Sequence, residues 1–141
     1  YEKVAGEYSN SASNRANLNA AILLYQKGKY QEAADYLNDF SAKGNLVGPA
    51  SQSLLGDCYV NLKKYDDAVK AFDKAISLSK DNVDYTPLFM MKKATVLRAQ
   101  KKYADEAAVY QTIKDKFPAF QNDFRVNIDK YLERALAQSG K

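Results

Sequence analysis

Large apolar side chains recur along this chain in a pattern that is written three times. Each copy opens on a tyrosine, continues through polar and small residues, and reaches a large apolar side chain seven positions later. The copies start at Tyr30, Tyr65 and Tyr103, which are 35 and 38 residues apart. A period of this length is typical of a helix–turn–helix unit, which cannot bury its own apolar face and therefore stacks on neighbouring units. The pattern predicts an all-α array of antiparallel helix pairs.

Apolar residues three and four positions apart locate two helices in each copy. The first helices are predicted at residues 14–26, 49–62 and 87–100, and the second helices at 30–42, 66–79 and 104–116. The middle of each first helix's apolar face is a small residue: Ala21, Gly56 and Ala94. Because a small side chain lets two helix backbones approach closely, we expect these positions to pack against a partner helix.

We expect the units to form one domain that spans the chain. Complete repeats are predicted at residues 14–47, 49–82 and 87–120. Residues 1–9 share the apolar spacing of the third unit's second helix, so we expect them to be the second helix of an earlier unit, with a further helix before Tyr1. A single amphipathic helix at 121–138 is predicted to cap the array or to begin another unit. Its apolar face carries Phe124, Ile128, Tyr131, Leu132 and Ala135.

The composition is ordinary for a globular protein, with 46% apolar and 27% charged residues. No apolar run approaches the roughly 18 residues that a membrane-spanning helix requires. The net charge is +4, and residues 87–141 hold eleven basic and six acidic side chains. We interpret this local excess of positive charge as a solvated helix face.

No catalytic or metal-binding constellation is visible in the sequence. There is no histidine, so Cys58, the single cysteine, lacks the usual base of a cysteine nucleophile. Asp66 and Asp67 are adjacent on a helix and point about 100° apart, which favours a helix start over paired catalytic carboxylates. The loop at 81–84 lacks the glycine and the distal glutamate of a calcium loop. We therefore expect no enzyme activity, no catalytic residues, no cofactor and no metal.

Nucleic-acid binding is also not expected. Basic residues and tyrosines cluster in the third unit, around Lys92, Arg98 and Lys101. Acidic residues such as Asp105 and Glu106 interrupt this cluster, and Tyr103 and Tyr110 are already accounted for as the core of the repeat.

The second unit resembles a tetratricopeptide repeat. The resemblance is carried by Leu54-Leu55-Gly56-Asp57-Cys58-Tyr59, then by Lys64-Tyr65-Asp66-Asp67-Ala68, Ala71-Phe72 and Ala75. This unit departs from the family pattern at Gln52, where an aromatic residue is usual, and at Lys80, where proline is usual. In the third unit Glu106 replaces the usual alanine. The resemblance implies a right-handed α-α superhelix and a protein-interaction module, such as an adaptor or scaffold.

In this family the first helices line a concave groove, which the resemblance assigns residue by residue. The expected groove residues are Arg15, Leu18, Ile22, Tyr25, Gln26, Ser53, Asp57, Val60, Asn61, Leu88, Met91, Thr95 and Arg98. Their mixed, partly apolar character favours an extended peptide or a partner helix as the ligand. For Leu18, Ile22 and Val60, exposure in the groove and packing in the core remain open alternatives. Leu18 and Ile22 also stand where some family members carry a lysine and asparagine clamp for C-terminal carboxylates, so no such clamp is expected.

The first residues carry a narrower resemblance. Tyr1, Lys3, Val4, Ala5 and Tyr8, followed by Ser-Ala-Ser, are similar to bacterial cell-envelope members of the family, some of which are membrane-anchored. This implies a periplasmic or envelope location and an N-terminal anchor in the full-length protein. The alternative function is then a homo-oligomerisation or structural domain of such an anchored protein.

Overall fold

The computed structural model describes residues 14–42, 48–124 and 127–140, and these residues form eight α-helices and no β-strand. In chain order the helices are α1 (Asn14–Gln26), α2 (Tyr30–Ala42), α3 (Pro49–Asn61), α4 (Tyr65–Leu78), α5 (Thr86–Ala99), α6 (Tyr103–Lys116), α7 (Phe120–Phe124) and α8 (Ile128–Ser139). The six helices predicted for the three units agree with α1–α6 to within one residue at each end. The segments at 1–9 and 43–47 lie outside the described residues.

Each of the helices α1–α5 packs on its successor in the chain, and α6 packs on α8. The first helices α1 and α3 also touch across α2, so the pairs stack side by side. The expectation of an all-α helical solenoid is confirmed. Three clusters of buried residues fill it: one joins α1, α2 and α3, one lies between α4 and α5, and one joins α5, α6 and α8.

The turn inside each pair has the same left-handed residue at the same place. Gly28, Lys63 and Lys101 have φ angles of 78°, 59° and 60°. The next amide donates to a carbonyl five residues back, as in the bond from Lys64 N to Tyr59 O at 2.8 Å. This is a Schellman-type helix end, which glycine adopts freely and which costs about 1–2 kcal/mol for a lysine. The basic or glycine turns of the sequence are therefore the points where the chain reverses between paired helices.

The small position in α3 is occupied by the ring of Phe72 from α4. Gly56 is buried, and a Cβ added to it would lie 2.5 Å from Cε1 of that ring. Phe72 is itself only 1% exposed, so a shift of the ring would disturb the packing around it. Ala21 and Ala94, the equivalent positions in α1 and α5, are fully buried as well. The predicted packing role of the small positions is confirmed.

The predicted single helix at 121–138 is wrong, because the chain forms α7 and α8 with a break at Asn127. Asn127 has a non-helical ψ of 84°, and its side-chain oxygen accepts a hydrogen bond from Lys130 N at 3.1 Å. Asparagine is among the strongest N-cap residues, so it starts a new helix here. The predicted apolar face does pack inward in α8, where Ile128, Leu132 and Ala135 are buried. The side chain of Phe124 lies outside what the structure describes.

Replacing Gly56 with alanine is expected to destabilise the protein by up to about 2 kcal/mol. Overpacking a core costs about 1–3 kcal/mol, and the better helix propensity of alanine offsets about 1 kcal/mol of that. Urea unfolding followed by circular dichroism measures the change. The matched control is the same substitution in a Phe72→Leu background, where the space is freed and Gly56→Ala should no longer destabilise. An equal cost in both backgrounds would contradict the contact.

Candidate protein-interaction surface

Polar contacts join the first helices of successive pairs to one another. Asn61 Nδ2 of α3 donates to Tyr25 Oη of α1 at 3.0 Å. Lys92 Nζ of α5 donates to Asp57 Oδ2 of α3 at 2.9 Å. We call the faces of α1, α3 and α5 that carry the predicted groove residues the first-helix surface. Because these side chains reach from one first helix to the next, this surface is continuous along the array.

The first-helix surface continues onto α8. Arg98 Nη1 of α5 donates to Gln138 Oε1 of α8 at 2.6 Å. The buried residues of α8 belong to the same cluster as those of α5 and α6. In these contacts α8 packs on the third helix pair in the same way that α5 packs on the second helix pair. Its predicted role as a cap or as the start of another unit stays a prediction.

The predicted groove residues differ in how far solvent reaches them. The exposed ones are Arg15, Gln26, Asn61 and Thr95, and the half-buried ones are Leu18, Ile22, Tyr25, Asp57, Val60, Leu88, Met91 and Arg98. Ser53 corrects the expectation of an exposed side chain, because it is 6% exposed and its hydroxyl accepts from Lys92 Nζ at 3.1 Å. The sequence did not single out Lys92, which lies 35 residues after Asp57 and not at the 38-residue offset between the second and third units.

Several half-buried apolar residues serve the core and the surface together. Leu18 packs against the α1–α3 cluster, Val60 against the cluster of Phe72, and Met91 against the C-terminal cluster. Tyr25 packs edge-on against Tyr30 at 5.2 Å between ring centroids, and burial raises the pKa of its phenol. Leu18 and Val60 therefore pack partly against the core, Ile22 is half-buried as well, and the place of all three in a groove stays a prediction.

The half-buried Arg98 is held by a buried carboxylate. Glu106 of α6 is fully buried, and its Oε1 lies 3.4 Å from Arg98 Nη1. Its Oε2 accepts from Tyr110 Oη at 2.6 Å and lies 3.7 Å from Arg134 Nη2 of α8. Burial and this hydrogen bond to Glu106 raise the pKa of Tyr110. The cluster ties α5, α6 and α8 together. The only hint of it in the sequence was that Glu106 stands where the family usually has alanine.

Replacing Arg98 with alanine is expected to destabilise the protein by about 1–3 kcal/mol, because it leaves Glu106 buried with one fewer donor. In a Glu106→Ala background the same change should cost less than about 1 kcal/mol, since no buried charge remains to be neutralised. Chemical unfolding of the four chains completes this double-mutant cycle. Additive costs would show that the two side chains are not coupled.

Cys58 lies in the core and not at a reactive surface. Its side chain is fully buried in the α1–α3 cluster. Burial, helped by the charge of Asp57, raises the pKa of the thiol to about 11. No described group of residues has the composition to hold a metal ion. In the loop after α4, Asn82 Oδ1 already accepts from the backbone amides of Asp84 and Tyr85.

The Cys58 thiol is expected to react slowly in the native protein. At about pH 8 a pKa near 11 instead of 9 lowers the thiolate fraction about a hundredfold, and burial blocks access as well. Alkylation by iodoacetamide should therefore be at least about a hundredfold slower in buffer than in urea. Similar rates in the folded and unfolded chain would contradict the burial of Cys58.

The structure has a small apolar cavity on the first-helix surface and a larger one formed by other residues. The smaller cavity measures about 230 Å³ and lies between α3, α4 and α5, where Val60, Phe72 and Val96 line it. The larger cavity measures about 520 Å³ and lies between α4, α5 and α6. A salt bridge of 2.6 Å between Lys93 and Asp73, both lining residues, lies beside the larger cavity. The large cavity contains no residue from the predicted groove.

A stacked array of helix pairs with a continuous first-helix surface defines a helical-repeat interaction domain. A sequence profile of the tetratricopeptide repeat matches residues 1–45, 18–83 and 54–119, so the chain belongs to the tetratricopeptide repeat family. A comparison with curated protein sequences found no match. Repeats of this family mediate protein–protein interaction and scaffolding, and the fold is typically a non-catalytic module that binds proteins or peptides. Among the described helices, none is long and apolar enough to cross a membrane.

Proposed function

We propose that this chain is an adaptor or scaffold module that binds a peptide or a partner helix along the first-helix surface, as the concave groove of the solenoid. The observation that carries the proposal is a set of half-buried apolar side chains on one continuous surface. They are Leu18, Ile22, Val60, Leu88 and Met91. Apolar side chains at intervals along a groove suit the regularly spaced anchors of a helix or an extended peptide.

The contacts between first helices support binding without large rearrangement. Asn61 with Tyr25, Lys92 with Asp57, and Arg98 with Gln138 connect four helices in sequence. A surface that is already ordered before binding loses less conformational entropy when a partner arrives. These same contacts make Tyr25 and Arg98 unsuitable as test positions, because their loss would change the fold together with the surface.

The charges favour a protein partner over nucleic acid. Six cations of the C-terminal half have a carboxylate within 4.0 Å: Lys92, Lys93, Arg98, Lys114, Lys116 and Arg134. Cations that are paired within the protein release few counterions when they meet a phosphate backbone, and that release drives nucleic-acid binding. Leu18 and Ile22 remain the reason to expect no lysine and asparagine clamp for C-terminal carboxylates.

Replacing Thr95 with arginine is expected to weaken partner binding at least about tenfold. Thr95 is exposed on α5, and its hydroxyl bonds only to Met91 O of its own helix at 3.0 Å, so the change adds bulk without breaking the core. The matched control is Thr112→Arg on α6, where the hydroxyl likewise bonds to Ala108 O at 2.9 Å. Partners captured by the wild-type chain are identified, purified and titrated by calorimetry.

Equal affinity of a partner for the wild-type, Thr95→Arg and Thr112→Arg chains would contradict binding at this surface. The alternative function is self-association as a structural domain. Light scattering on the unliganded chain tests it, because self-association requires a molecular mass above that of the monomer. The envelope location and the N-terminal anchor stay predictions, and they do not affect this test.

A further inference from the structure

The small cavity on the first-helix surface, which we call the socket, has an apolar interior. Val60, Phe72, Val96 and Ala99 contribute to its walls. Phe72 and Val96 are 1% and 2% exposed, so the wall that solvent reaches belongs mainly to the half-buried Val60 and to the exposed Thr95 and Ala99. Its volume of about 230 Å³ is below the roughly 300–1,000 Å³ of pockets that hold a whole small molecule. This size suits a single large side chain.

Two of the residues that line the socket are charged, Asp57 and Lys92, and they are paired with each other. Lys92 Nζ lies 5.9 Å from the centroid of the Phe72 ring and 2.9 Å from Asp57 Oδ2. A charged or amide group placed inside would lose its water, and the lining groups Asp57, Lys92 and Thr95 already form hydrogen bonds within the protein. The interior therefore selects an aliphatic or aromatic side chain.

A second, more polar cavity is lined by residues that follow Ala99 of the socket in the chain, and two of them, Lys102 and Asp105, also line the large cavity. This polar cavity measures about 610 Å³, and Lys101, Lys102, Tyr103, Asp105 and Gln138 are among its lining residues. We call it the lysine cleft. Lys101 follows two residues after Ala99 of the socket. Arg98 reaches into the same region, because its guanidinium lies 5.6 Å from the Tyr103 ring centroid and 2.6 Å from Gln138 Oε1.

The lysine cleft carries positive charge that the protein does not neutralise. Lys101 and Lys102 are exposed, and neither forms a salt bridge with a carboxylate in the described part of the chain. Asp105 is the one acidic residue that lines the cleft, so the lining has a net charge of one positive unit. A carboxylate on a partner complements this charge, while a basic partner would be repelled.

We infer that the first-helix surface recognises a protein segment that inserts one large apolar side chain into the socket and places carboxylates beside Lys101 and Lys102. The inference rests on the proposed function and names the chemistry of the partner. An apolar anchor in a pocket with charge complementarity next to it is an arrangement in which the anchor provides affinity and the charges provide selectivity. Nothing in the recognition requires a free C-terminus.

The test begins with a random dodecapeptide library displayed on phage and selected on the folded chain. We expect the enriched peptides to combine a leucine, methionine or aromatic residue with at least two nearby acidic residues. Each enriched peptide is then synthesised with a dye, and its affinity is measured by fluorescence anisotropy. Replacing its apolar residue with alanine should weaken binding about 10- to 100-fold, the effect of losing one buried anchor.

Ala99→Phe fills the socket from its exposed edge and is expected to weaken the same peptides at least about tenfold. Ala99 is exposed at the end of α5, so the larger side chain does not have to enter the core. The matched control is Ala108→Phe, at an exposed alanine of α6 that lines the large cavity but neither the socket nor the lysine cleft. This variant should bind the peptides as the wild-type chain does.

The lysine cleft is tested by the double change Lys101→Asn and Lys102→Asn. Asparagine tolerates the left-handed conformation of Lys101, and it caps the helix that begins at Tyr103. The chain offers a closely matched control one repeat earlier, the double change Lys63→Asn and Lys64→Asn. There Lys63 has a φ angle of 59°, and Lys64 is the N-cap of α4. Acidic peptides should bind the Lys101/Lys102 variant about 3- to 10-fold more weakly than they bind the wild-type chain. This difference should become smaller as salt is added, and the control variant should bind the peptides with wild-type affinity.

The outcomes separate the inference from the proposed function. Peptides blocked by Thr95→Arg but unaffected by Ala99→Phe would overturn the inference and leave the proposed groove in place. Peptides unaffected by either change would overturn both. Enrichment of basic peptides would overturn the inference, and so would a selection that enriches no peptide. An RNA oligomer that binds more strongly than the peptides, through Lys101 and Lys102, would also overturn it.

Discussion

The packing of the Phe72 ring on the backbone of Gly56 is the contact on which the middle of this structure depends. It brings α3 and α4 closer than any residue with a side chain at position 56 would allow, since an added Cβ would lie 2.5 Å from the ring. The same ring contributes to the socket on the first-helix surface. A single close approach therefore sets both the geometry of the central pair and the depth of its candidate binding pocket.

The remainder of the array is stabilised by different means at its two ends. Around α1, α2 and α3 the cluster is built from apolar side chains with Cys58 at its centre. At the C-terminal end, buried Glu106 draws Arg98 and Arg134 inward and joins α5 and α6 to α8. A buried carboxylate contributes little net stability on its own, but it specifies which helices meet, because its charge is satisfied in only one arrangement. This gives the C-terminal end a defined partner for its last described helix.

The candidate site could be predicted from the sequence only in part. The repeat phase predicted which helices line a groove and which residues it carries, such as Ile22 and Thr95. It did not identify Lys92, because the contact from Lys92 to Asp57 joins residues of different repeats and depends on how far one pair is rotated on the next. It also expected an exposed Ser53, which Lys92 covers. The socket was beyond the sequence for the same reason, since its walls come from three helices.

What the sequence by itself determined is the local structure of this protein: six helices to within one residue, their turns, and the small residues at which they approach. These features follow from apolar periodicity and from backbone preferences, which act over a few neighbouring residues. Only the tertiary structure decided that the chain breaks at Asn127, that Glu106 is buried among arginines, and that three helices form an apolar socket. Each of these depends on contacts between different helices or on a cap that competes with a continuous helix, and such balances are settled only when the helices pack.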